Sequence, residues 1–204
     1  MSKQLTILFF LFFSSMLIAQ SSFRKLSRPE QCWAMFHPFK AKKAQIITKR
    51  VQIVVDSIKK TGTIGDNENG GNLDAFKHTL WMASLSLKIG KKQALKLGKA
   101  HEKGNYLQFK KHTLEDSVLP DSVSSEMDYG NNRIGVNLIG RCHFKITEKE
   151  LIDLILKKLQ YGGLYIIYRD FSGNYLDCNG AIIDMKMWLG KWGIPKCLIK
   201  PKED

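Results

Sequence analysis

Asp74 and His78 stand four residues apart in an otherwise apolar stretch, "LDAFKHTLWMASLSL". On a helix that spacing puts an acid and an imidazole on adjacent turns of one face. Such a pair can bind a metal together, or the carboxylate can fix the imidazole tautomer while the other ring nitrogen moves a proton. Further along come His101 and Glu102 in "AHEKGN", then Asp128, Asn131 and Asn132 in "MDYGNNR". If that last segment is helical, Asp128 and Asn132 share a face. If it is a turn, Asp128, Asn131 and backbone carbonyls suit a hard cation such as calcium, or simply make an Asx-turn. Each residue also has a plain structural reading: Asp74 as a helix-start acid, His78 as a core histidine with a partner.

Other chemistries are disfavoured. "AHEKGN" is no zincin helix, because Asn105 holds the place of the second histidine. There is no P-loop, nucleophile elbow or dinucleotide fingerprint, so no nucleotide cofactor is expected. The four cysteines, Cys32, Cys142, Cys178 and Cys197, form no C-x-x-C pair. In an oxidising compartment they allow two disulfides, of which Cys178–Cys197 is preferred because it links a turn to the tail.

These residues need elements to carry them. Pro38 opens a run in which Ala41, Ala44, Ile47, Val51, Val54 and Ile58 recur every three or four positions, which predicts an amphipathic helix. After the break "TGTIGDNENGGN", with Asn72 as an N-cap, a helix over about 73–88 runs to Gly90. Leu73, Phe76, Leu80, Ala83 and Leu87 lie on one side of it; Asp74, His78, Trp81, Met82, Leu85 and Ile89 lie on the other. Apolar on both sides, it belongs at the centre of the fold. A second helix starts at Lys91 and puts Ala94, Leu97 and His101 on one stripe. The polar segment 105–126 is expected to be a long loop or short helix. Thr147 and Glu150 form a capping box for a helix ending at Gly162-Gly163. "LYIIYRDFSGNYLDC" then reads as a β-hairpin around Ser172-Gly173-Asn174, with a last short helix in "AIIDMKMWLGKWG".

At the start, "MSKQ", the apolar "LTILFFLFFSSMLIA" and Ala19-Gln20 read as a signal peptide over residues 1–20. The run is shorter than the ~20 residues that span a bilayer comfortably, which disfavours an uncleaved anchor. The expected product is a single exported domain, 21–204, periplasmic or secreted and without an integral membrane segment. The chain carries 32 basic and 19 acidic side chains, a net charge of +13. That excess favours anionic partners such as phospholipid, nucleic acid or glycan. Scattered pairs such as Lys91-Lys92 and Lys157-Lys158 fit solvated helix faces equally well.

Four segments in order, "HPFKAKKA", "DAFKHTLWMA", "AHE" and "MDYGNNRIG", resemble an uncharacterised family of bacterial helical domains found in secreted proteins and at the C-terminal ends of polymorphic toxins. Its pattern runs H-P-x-x-A-x-x-A, D-A-F-R-H-A-x-W-N-A, A-H-E and M-D-x-x-N-N-x-x-G. The likeness covers about residues 35–165. Lys77 stands for the usual arginine, Thr79 for an alanine and Met82 for an asparagine. The resemblance implies that Asp74, His78, His101, Glu102, Asp128, Asn131 and Asn132 form one site, and it supplies no activity.

The expectation is therefore a mainly α fold, a helical bundle around the 73–88 helix with a small C-terminal β-hairpin. Function would be a metal-assisted, hydrolase-like reaction of toxin or effector type on a phosphodiester or another envelope polymer. His78, His101 and Glu102 are the candidate catalytic groups. Asp74, His78, His101 and Asp128 are the candidate ligands of a divalent metal. Asn131, Asn132, Arg133, Lys77 and Trp81 are the candidate substrate contacts. The alternative is a non-enzymatic binding protein in which the same polar residues form a buried structural network.

Overall fold

A computed structural model describes residues 23–65, 69–111, 119–140 and 145–200. The signal-peptide expectation, His112, Cys142 and His143 fall outside them. Among the described residues six helices follow in order: α1 Arg28–Phe36, α2 Pro38–Thr61, α3 Asn72–Ile89, α4 Lys91–Lys110, α5 Ser122–Leu138 and α6 Glu148–Gln160. Two short strands, β1 Ile166–Ile167 and β2 Leu198–Ile199, pair antiparallel. The fold is mainly α, as expected.

Local signals set the helix ends. The backbone N–H and hydroxyl of Ser27 both donate to Glu30 Oε2 at the start of α1. Thr147 and Glu150 make the same reciprocal cap on α6, as their spacing predicts. Asn72 turns out to be the first residue of α3 and not its cap; Gly71 precedes the helix, and the Gly70 N–H donates to Asp74 Oδ2 at 2.8 Å. Asp74 thus does hold a helix start, and it has a second oxygen for other work.

α3 is the centre of the molecule. Leu73, Phe76, Leu80 and Ala83 pack with Val51, Val54 and Val55 of α2 and with Leu151 and Ile155 of α6. Its other side, Met82, Leu85 and Ile89, packs with Trp33 of α1, Ala94 and Leu97 of α4, and Val136 of α5. Leu73, Phe76, Leu80, Met82 and Leu85 are fully buried, each side chain contributing ~1.5–3 kcal/mol by removal from water.

α5 lies against α3 and runs in the same sense, since Asp128 meets His78 and Asp74 at one end while Gly135 meets Thr79 and Met82 at the other. A Cβ at Gly135 would stand 2.3 Å from the Thr79 carbonyl oxygen, so only glycine permits this approach.

The segment after residue 104, expected as a long loop or short helix, continues α4 to Lys110, and Tyr106 and Phe109 pack on Trp192. The expected hairpin is present but short, with the Leu176 N–H donating to the Tyr168 carbonyl across it. Arg169 bridges Tyr175 across Ser172-Gly173-Asn174, but β1 takes its partner from the tail. The preferred Cys178–Cys197 disulfide is present, and it holds the tail beside Tyr168 and Leu176, whose backbones bond Cys197. "AIIDMKMWLGKWG" supplies one 3-10 turn, Met185–Trp188.

A candidate metal centre between three helices

His78 projects from the middle of α3 toward α5, and three side chains surround its ring. Its Nε2 stands 3.5 Å from Asp74 Oδ1 and 3.4 Å from Asp128 Oδ1. Its Nδ1 stands 3.3 Å from Asn132 Oδ1. The Asn132 amide donates in turn to Glu102 Oε1 on α4 at 3.3 Å. Asp74, His78, Asp128 and Asn132 are all buried.

That chain assigns the protons. A carboxylate only accepts, so Glu102 must face the Asn132 NH2 group and the amide oxygen must face His78. An oxygen there requires His78 to donate from Nδ1. The neutral imidazole then presents its Nε2 lone pair to two carboxylates, an arrangement that repels itself unless a cation lies among the three atoms or Nε2 also carries a proton. A histidine whose far nitrogen donates to a fixed acceptor is the usual arrangement at metal sites.

Asp74, His78 and Asp128 offer one ligand atom each, all within 4.8 Å of one another, so the trio could hold a metal ion. Two ligands ~2.1 Å from a tetrahedral ion lie ~3.4 Å apart, which agrees with both His78 distances.

His101 is close but belongs to a second pair. Its ring centroid is 6.1 Å from that of His78, and Trp81 packs edge-on to both rings. Its Nδ1 bonds Glu30 Oε1 at 3.0 Å, and it is not among the three side chains whose ligand atoms gather within 4.8 Å of one another. Burial alone would push the Glu30 carboxyl up. The hydrogen bond and charge of His101, with the bonds from Ser27, outweigh it and hold the group down at about 2. Glu30 therefore holds a proton on His101 Nδ1.

The remaining candidates divide. Lys77 reaches Asp74 Oδ1 at 3.1 Å from a partly exposed position on the rim, near half-buried Trp81. Arg133 is exposed on α5. Asn131 faces elsewhere: it donates to the Tyr165 carbonyl and accepts from the Tyr165 N–H, both at 2.9 Å. These two bonds make it a clamp on the segment after α6.

A family model described as "Domain of unknown function (DUF6973)" matches residues 31–163. The chain belongs to that family. No match is found among curated proteins or among solved structures.

The metal trio, His101, Glu102 and Asn132 all lie within the family's span, whereas Glu30 stands one residue before it. Past residue 163 the chain still touches the site. Tyr165 lies against Gly130, the Ile167 N–H donates to the Gly70 carbonyl while its side chain packs on Gly70, and Arg169 donates to the Asn69 carbonyl. The turn that places Asp74 is thus strapped down by residues outside the family match.

Sequence reading missed Glu30 and this strap. Ser27-x-x-Glu30 is visible as a capping box, but nothing in the sequence places it beside a histidine 71 positions away.

Proposed function

We propose that this chain is an exported metal-dependent phosphodiester hydrolase, with a divalent ion held by Asp74, His78 and Asp128. One observation carries the reading. His78 Nε2 sits 3.4 and 3.5 Å from two carboxylate oxygens, too long for the ~2.7–2.9 Å of a charge-assisted hydrogen bond and suited to ligands sharing one ion.

A bound ion would supply Lewis acidity toward a phosphoryl oxygen. The protein's own part is positional. Glu102 and Asn132 fix the His78 tautomer, and Trp81 walls both imidazoles. His101, with Nδ1 committed to Glu30, is the base that takes a proton from attacking water at Nε2 and returns it to the leaving alcohol. Lys77 and the net charge of +13 favour an anionic substrate.

The second reading, a buried network without catalysis, is favoured by one feature: Asp74 already bonds the Gly70 N–H and pairs with Lys77. An imidazolium at His78 would then neutralise the carboxylates.

Bound metal and product release separate the two. Wild type should retain about one divalent ion per chain, by elemental analysis and calorimetric titration, and release product from phospholipid or nucleic acid. His78→Ala should lose both. Asn132→Ala removes no ligand yet should weaken metal binding ~10–100-fold. A metal-free wild type, inert on both substrates and on peptidoglycan, would leave the network reading standing.

A further inference from the structure

α2 has two apolar sides, and among the described residues only one of them packs against other helices. Ala44, Val51, Val54 and Val55 face the core. On the opposite side Phe39, Ile46 and Ile53 recur every seven residues, which at ~100° per residue keeps them within ~40° of arc along ~21 Å of helix. All three are exposed, Phe39 at 86% and Ile46 at 62%. Met35 and Phe36, at the corner where α1 meets α2, extend the strip and are exposed as well.

Cations border it. Lys43 and Arg50 lie on one flank and Lys42, Lys49 and Lys60 on the other, all exposed. Arg50 is paired with Glu148. The helix sequence contains one acid, Asp56. An exposed apolar strip with basic margins on a helix is the pattern that lies in the plane of a membrane surface, apolar residues among the acyl chains and lysines at the headgroups.

We infer that this face of α2, with the α1–α2 corner, docks the protein onto an anionic phospholipid bilayer. Charge decides among occupants. A second copy seated on the strip would bring two lysine margins together, whereas an anionic bilayer matches both the apolar strip and its rim. Among the described residues no helix is long and apolar enough to cross a membrane, so contact by this face is at the surface. The inference is independent of the chemistry proposed at His78.

The test is co-sedimentation of the full chain with phosphatidylglycerol vesicles and with phosphatidylcholine vesicles, the readout being the difference between them. Residues 5–19 carry no charge and contribute equally to both. Wild type should favour phosphatidylglycerol by at least about tenfold. Phe39→Ser/Ile46→Ser/Ile53→Ser and, separately, Lys42→Glu/Lys43→Glu/Lys49→Glu should abolish that preference, both sets being exposed and checked for folding by circular dichroism. Lys91→Glu/Lys92→Glu/Lys96→Glu, an equal charge change on α4, should largely keep it. Three results would each overturn the inference: equal binding of wild type to both vesicles, loss of preference in the α4 variant to the same degree as in the α2 variants, or a dimer at micromolar concentration with no vesicle binding.

Discussion

Glu30 couples its protonation to folding. Its carboxyl is held at about 2 against an ordinary 4.5, so its contribution is present above pH 4.5 and disappears as pH falls toward 2. Burial and pairing make that contribution up to ~3 kcal/mol. Urea unfolding across pH 7 to 2 should therefore show a fall in stability confined to that window, and Glu30→Gln should lower stability at pH 7 and flatten the fall. At this scale much was legible. Asp74 and His78 declared themselves as polar residues at helical spacing on an apolar face, whereas Asp128 and Asn132 shared a face only if their segment was helical. The separate allegiance of His101 did not, because hydrogen-bond partners across 71 positions leave no periodic trace.

Among the elements, α3 was readable from its two apolar sides, and the Thr147–Glu150 box marked α6. α5 was ambiguous, since Gly130 and Gly135 weaken a helix by about 1 kcal/mol each and equally suggest a turn. Their reason is tertiary: Gly130 admits the Tyr165 ring, and Gly135 admits the Thr79 carbonyl. α4 was read too short because Tyr106 and Phe109 find their apolar partner, Trp192, in the last part of the chain. Gly135 offers a test of how helix approach sets the centre. Gly135→Ala would place a methyl 2.3 Å from the Thr79 oxygen and 3.1 Å from Met82 Cβ. The helices must part, at a cost of ~1–3 kcal/mol in thermal or chemical unfolding. Metal affinity should fall too, because Asp128 moves with α5 while Asp74 and His78 stay with α3.

At the level of the molecule, the residues after 163 are fastened to the helices and to one another. Lys196 Nζ pairs with Asp121 Oδ2 at 2.6 Å, both fully buried, and Asp121 also caps α5. Asn131 clamps Tyr165, and the Cys178–Cys197 bridge closes a 19-residue separation. Loop-closure entropy makes the bridge worth about 3 kcal/mol, so Cys178→Ser/Cys197→Ser should unfold at correspondingly lower denaturant, with hydrogen exchange rising first in residues 164–199. Because that same segment holds down Gly70, the turn beside Asp74, the oxidation state of two sulfurs is felt at the far end of the strap. Where thiols are kept reduced, the chain would hold its Asp74 corner less firmly; where they oxidise, the corner tightens, so the compartment itself becomes part of how the centre is assembled.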